Sequence, residues 1–205
     1  MRTQHLELMV EEPSMEAFLR AVLPGLLGPE TTFEVYPFQG KDDLLHKLPQ
    51  RLQGYTKWLP PSTRVFVIVD RDDDGCHELK ALLENIASRS GLRSRSRASK
   101  KRWQVVNRIA IEELEAWYFG DWQAVIESYP GVSRTVPSKA QYRNPDAVRG
   151  GTKEAFERVL KRAGHFVTGL RTVEAARAIG TRFVPERSTS HSFQKLHQAV
   201  LESIA

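Results

Sequence analysis

The chain has 205 residues, 40% of them hydrophobic and 27% charged, with a net charge of +5. That length suits one sizeable α/β domain with a small appended part, and the composition is that of a folded globular protein, which excludes a disordered chain or a membrane-embedded one. Cys76 is the only cysteine, so an intramolecular disulfide and a cysteine-rich zinc site are excluded and a reducing cytoplasm is the expected location.

In chain order, Gln4 to Val10 alternates polar and apolar residues and predicts a strand, followed by Glu11-Glu12-Pro13-Ser14. Ser14 is the expected N-cap of a helix from Met15 to Leu27, where Phe18, Leu19, Val22, Leu23 and Leu26 recur at helical spacing. The glutamates near the start, with no long apolar core behind a basic leader, are not the pattern of a signal peptide, and no run is long enough to span a bilayer. A second strand from Thr32 to Phe38 leads through Gly40 and the cap candidate Asp42 into a helix from Asp43 to about Trp58. Pro49 predicts a kink or a split in that helix.

The central stretch is Arg64-Val65-Phe66-Val67-Ile68-Val69, closed by Asp70-Arg71-Asp72-Asp73-Asp74-Gly75. A short β-branched run ending in carboxylates predicts a strand buried on both faces of a parallel sheet, with Asp70 and Asp72 at its carboxyl end. A helix from Cys76 to Ala87 comes next. From Asn85 to Ile111 the chain has no acid but carries Arg89, Arg93, Arg95, Arg97, Lys100, Lys101, Arg102 and Arg108. This serine-rich basic stretch is expected to be a mobile loop, with Arg93, Arg95, Arg97, Lys100, Lys101 and Arg102 as candidate contacts to a nucleic-acid backbone.

Trp103 to Ile111 predicts a fourth strand running directly into a helix at Glu112-Glu113-Leu114-Glu115-Ala116-Trp117-Tyr118-Phe119, whose aromatics are expected in the core. Beyond the turn-rich segment from Ser133, helical patterns recur at Thr152 to Ala163, Thr172 to Ile179 and Ser192 to Ile204. The alternation of strands and helices predicts an α/β fold: a mostly parallel, Rossmann-like sheet of about four strands with helices on both faces. Residues 1–130 would form this domain, and residues 131–205 a helical extension packed on it.

If the strands run as predicted, Glu11, Asp70 with Asp72, and Glu113 or Glu115 all stand at one sheet edge. Carboxylates converging there suit Mg²⁺ or Mn²⁺, hard ions that prefer oxygen and can assist phosphoryl transfer. The series Asp70-x-Asp72-x-Asp74-Gly75 also opens like an EF-hand loop, but the twelfth position is Ala81 instead of a bidentate Glu and the segment before it predicts a strand. The six histidines show no metal-binding spacing.

The segment Val10-Glu11-Glu12-Pro13-Ser14-Met15-Glu16-Ala17-Phe18-Leu19, followed by Val69-Asp70-Arg71-Asp72, resembles the two signatures of the Toprim superfamily, and Glu113-Leu114-Glu115-Ala116-Trp117 is similar to a stretch of its small stand-alone members, which are related to overcoming-lysogenization-defect nucleases. The resemblance covers about residues 4 to 122. It implies a Toprim-like fold and a metal-dependent nuclease, with Glu11 as the acid for proton transfer or metal binding, Asp70 and Asp72 as ligands, and Glu113 or Glu115 at a second metal position. It also implies an ATPase partner in phage defence. Glu12 departs from the pattern, which commonly has Gly there. The alternative expectation is a non-catalytic partner or regulatory subunit that binds nucleic acid or an ATPase.

Overall fold

The computed structural model describes residues 2–72, 74–98 and 102–205. Four parallel strands, β1 (His5–Val10), β2 (Thr32–Pro37), β3 (Thr63–Asp70) and β4 (Val105–Ala110), form one sheet in the order β2-β1-β3-β4. β3 is paired on both sides, with Val10 opposite Ile68 and Asp70 opposite Ala110. Its apolar side chains from Val65 to Val69 are fully buried, as a strand sandwiched between helical layers requires.

The helices divide between the two faces. Leu6, Leu8, Val10, Phe66 and Ile68 point to one face, where α1 (Pro13–Leu27) packs. Met9, Val65, Val67 and Val69 point to the other, which is covered by α2 (Lys41–Tyr55) and α3 (Cys76–Arg89). α2 continues through Pro49 as a single helix, since Leu44, Leu48, Leu52 and Tyr55 fall on one stripe and are all buried against the sheet. Its start also differs from the sequence expectation: Gly40 (φ 95°) holds the N-cap position, Asp42 lies in the first turn, and Asp43 accepts a hydrogen bond from the Gln39 N–H (3.1 Å). Likewise Glu12, not Ser14, stands at the N-cap of α1, because Pro13, which lacks an N–H, occupies the first helical position.

β4 is followed by α4 (Glu115–Gly120) and α5 (Trp122–Ser128), then three short 3₁₀ turns, α6 (Thr152–Arg162), α7 (Thr172–Gly180) and α8 (His191–Ile204). α4 begins three residues later than the sequence suggests because Glu112 takes a left-handed conformation (φ 62°) that no α-helix accommodates. Trp117, Tyr118 and Phe119 are core residues, as expected. Phe18 packs edge-on to Phe183 (5.0 Å between centroids), which in turn meets Phe193 (4.7 Å), while Trp117 Nε1–H donates to Ser192 Oγ (2.9 Å). One hydrophobic core therefore joins α1 and the sheet to the elements beyond residue 131.

α7 lies so close to α1 that a Cβ on Gly180 would sit 2.8 Å from Ala21 Cβ and 3.0 Å from the Phe18 carbonyl oxygen. Gly180→Ala should therefore destabilise the protein by about 1–3 kcal/mol. By contrast Gly25, in α1 with open space around it, should gain about 0.5–1 kcal/mol on replacement by Ala. Urea unfolding of the two variants checks both signs.

Candidate functional site

The strand order reverses between β1 and β3: α1 leaves β1 on one face and α3 leaves β3 on the other. In parallel sheets the diverging loops at such a point open a crevice beyond the carboxyl ends of the strands. Glu11 is the first residue after β1, and Asp70 is the last residue of β3. The Asp70 backbone N–H donates to Glu11 Oε2 (3.1 Å), so the two carboxylates are held at the mouth of the same crevice.

Asp70 is 6% exposed, and its Oδ1 has no hydrogen-bond partner among the described residues. Burial pushes its carboxyl well above the ordinary range, and the negative charges of Glu11, Glu115, Glu12 and Asp72 push it further. Glu11 is raised to about 6, mainly by burial, although the Asp70 N–H acts in the opposite sense. Glu115, in the first turn of α4 and 4% exposed, is raised to about 8 by burial and by Glu113, with Lys153 working against the shift. The crevice thus concentrates more carboxylate than its surroundings readily keep ionised.

Among the described residues, three cations reach this edge. Lys41, at the start of α2, places Nζ 2.7 Å from both Asp72 Oδ2 and Asp74 Oδ2 and donates to the Arg71 carbonyl (3.1 Å). Burial disfavours its charge, but the bonds to the two aspartates outweigh that and raise its pKa. Lys153, in the first turn of α6, is opposed by burial and raised by Glu115, Glu12 and Glu113. Arg71 pairs with Glu112.

The exits of β3 and β4 are tied together by the Asp72 N–H donating to the Glu112 carbonyl (3.0 Å), and both residues are left-handed, at φ 48° and 62°. Neither is glycine. Backbone strain of this kind, costing about 1–3 kcal/mol per residue, is concentrated at functional sites in folded proteins.

Glu11, Asp70, Asp72 and Glu115 come to one edge, as the sequence reading expected. Glu113 reaches the same edge but is engaged elsewhere: its Oε2 accepts from Thr152 Oγ1 (3.0 Å) and the Lys153 N–H (2.9 Å), satisfying the N-terminus of α6. Among the described residues, no three His, Cys, Asp or Glu side chains are already arranged round a common ion position. Asp73 lies outside the described residues.

The basic stretch is placed differently. It enters β4 at its amino end, where Ser94 bridges Val105, whereas the acids stand at the carboxyl end, about 20 Å away at roughly 3.3 Å per strand residue. Its described part is tethered: Arg93 Nε–H donates to the Arg102 carbonyl (2.9 Å), Arg95 pairs with Glu202 on α8, and Arg97 bonds Asn85 (3.2 Å). Lys100 and Lys101 lie outside the described residues. The arginines are not brought to the acid edge, and Lys41 and Lys153, which the sequence reading did not single out, are. Lys41 directly follows Gly40, just beyond a predicted strand, a position that could have marked it; nothing in the sequence around Lys153 links it to Glu12, Glu113 and Glu115 far earlier in the chain.

The profile of a domain of unknown function, DUF4276, matches residues 10–201, nearly the whole chain, from the last residue of β1 into α8. The chain belongs to the DUF4276 family. No curated protein and no solved structure matches it, so the crevice chemistry is the basis for a functional reading of this member of the family. Among the described residues no helix is long and apolar enough to cross a membrane.

Because Glu115 is raised from 4.5 to about 8 in the fold, its buried protonated form contributes stability in full below about pH 4.5, and that contribution is lost as the pH rises through about 8. Glu115→Gln is neutral at every pH. In chelator, the melting temperature of the variant relative to wild type should climb between about pH 5 and pH 8.5; a constant difference would mean that Glu115 titrates normally.

Proposed function

We propose that this protein is a divalent-metal-dependent phosphodiesterase acting on nucleic acid, in keeping with the resemblance of Glu11, Asp70 and Asp72 to the Toprim signatures. The observation that carries the reading is the buried Oδ1 of Asp70, without a hydrogen-bond partner among the described residues, beside Glu11 at the strand-order reversal. An all-oxygen set of crowded carboxylates fits Mg²⁺ or Mn²⁺ and suits neither a thiolate-loving nor an imidazole-loving metal. Asp70, Glu11 and Asp72 would hold the ion, and Glu115 would hold a second. Such an ion, when bound, activates water and offsets charge on a phosphodiester.

The chain's own residues account for the remaining roles. In the metal-free site Glu11 is raised to about 6, so it holds a proton near neutral pH that an ion bound there would displace. Lys41 and Lys153 present positive charge at an edge otherwise filled with acids, and a bound phosphate is drawn to them. Asp72 has to exchange Lys41 for the ion, which opens one donor position of the ammonium to that phosphate while Asp74 and the Arg71 carbonyl still hold it in place.

One observation favours a second reading. Lys41 already neutralises Asp72 and Asp74, as it would in a non-catalytic shell that serves as the partner of an ATPase. The two readings part on Asp70. Asp70 does not cap α3, whose N-cap position belongs to Gly75, so Asp70→Asn tests ligation without disturbing a helix start.

In the catalytic reading, Mn²⁺-dependent cleavage of single- or double-stranded DNA or RNA falls about 100-fold or more in Asp70→Asn, and the Mn²⁺-induced rise in melting temperature disappears. Cleavage that survives in Asp70→Asn or in chelator, or equal metal stabilisation of both proteins, would overturn it. Lys41→Met should strengthen the Mn²⁺-induced rise, since the ion no longer competes with an internal cation for Asp72.

A further inference from the structure

On the α2 face of the sheet, away from the acid edge, lies a second cavity of about 560 Å³ between α2 and the edge strand β2. Its size is that of a small-molecule site. Tyr36 from β2, Tyr55 at the end of α2 and Trp58 just beyond it supply aromatic surface; Arg51 and Lys47 supply positive charge; Glu7 from β1 supplies a carboxylate. Tyr55 and Trp58 lie against one another with centroids 5.1 Å apart, and the Arg51 guanidinium rests over the Tyr36 ring at 4.5 Å. Trp58 is 60% exposed, unlike Trp103, Trp117 and Trp122, which are all buried. Trp58 thus presents a flat aromatic face to water beside two tyrosines, on which a planar ligand can stack.

Glu7 fixes what kind of flat ligand. It is 6% exposed in the middle of a sheet strand, and both carboxylate oxygens are oriented: Oε2 accepts from Tyr55 Oη–H (2.7 Å) and Oε1 lies 3.1 Å from His5 Nε2. Each oxygen has a second lone pair; the Tyr36 phenol also lies within reach of this carboxylate, and once that hydroxyl turns to the ligand the two oxygens can accept two parallel hydrogen bonds. A planar ring with two adjacent N–H donors on one edge matches that demand. Among the nucleobases, guanine has such an edge in N1–H and the N2 amino group; adenine and cytosine set a ring acceptor beside their amino group, which the carboxylate would repel. Arg51 and Lys47, the latter in a solvent-exposed pair with Asp43 that a phosphate can displace, suit the phosphate of a nucleotide and argue against a simple cationic guest, which the aromatics and Glu7 alone would otherwise attract.

We propose that this cavity is a guanine-nucleotide site, in which the base stacks on Trp58, its Watson–Crick edge meets Glu7, and its phosphate meets Arg51 and Lys47. The inference does not depend on the phosphodiesterase reading. Glu7 lies four residues before Glu11 on β1, about 13 Å along the strand, and nucleotide binding here can be measured in chelator, where the acid edge is silent.

The test is titration of the full chain in EDTA with GMP, AMP, CMP and UMP, followed by tryptophan fluorescence and calorimetry. GMP should quench the exposed tryptophan and bind at least tenfold more tightly than AMP. Trp58→Ala, at a solvent-exposed position, should keep its melting temperature and lose at least tenfold in GMP affinity. Glu7→Gln should bind GMP and AMP alike; if that variant unfolds, the wild-type preference and Trp58→Ala decide. Absence of GMP binding, equal binding of GMP and AMP by the wild type, full GMP affinity in Trp58→Ala, or binding of tetramethylammonium in place of nucleotides would each overturn the assignment.

Discussion

A carboxylate has been placed at the end of a strand that is otherwise buried, and much of the local architecture answers to that charge. β3 is paired on both sides and covered on both faces, so Asp70 emerges from the core without leaving it. Removing such a group from water disfavours its ionised form. Glu11, Glu12, Glu115 and Asp72 surround it and add to the difficulty. The chain offsets part of the charge with Lys41 and Lys153 and leaves Asp70 Oδ1 without a partner among the described residues. Selection for stability alone does not retain a concentration of like charge in a crevice; selection for a cationic or phosphorylated ligand does.

The two sheet faces carry different responsibilities. The α1 face holds the larger core, where Phe18, Trp117, Phe183 and Phe193 interlock and α7 packs onto α1 with only a glycine between them. Through this core the elements beyond residue 131 reach the acid edge: the α6 N-terminus is hydrogen-bonded to Glu113, which sets Lys153 among the acids. The opposite face is thinner. Along the edge strand β2 it leaves Tyr36 and Trp58 around the Glu7 cavity, so a second opening exists on the face with the smaller core.

Both openings share a device: a carboxylate on a sheet strand, fixed by partners from neighbouring elements. At Asp70 the neighbours are mostly acids, which calls for a cation. At Glu7 they are the phenols of Tyr55 and Tyr36 and the His5 imidazole, all hydrogen-bonding groups that orient the oxygens. The same side-chain chemistry is thus steered toward different ligands by what stands next to it.

The sequence by itself determined the parallel α/β alternation, the buried β3 with Asp70 at its end, the core role of Trp117 to Phe119 and the three terminal helices, because these follow from local periodicity and from apolar runs too long for a loop. It also placed Glu11, Asp70 with Asp72, and Glu113 or Glu115 on one edge, since parallel strands all end on the same side; the choice between the last two came from the fold. Only the tertiary structure decided which cations meet those acids: Lys41 comes from the far side of β2 and Lys153 from a helix some 80 residues beyond β3 in the chain, and spacing along a chain carries no record of such long-range neighbours. It likewise separated the arginine-rich stretch from the acids. Charge content can be read residue by residue, but the end of the sheet on which a loop lies is set by the direction of the strand it enters.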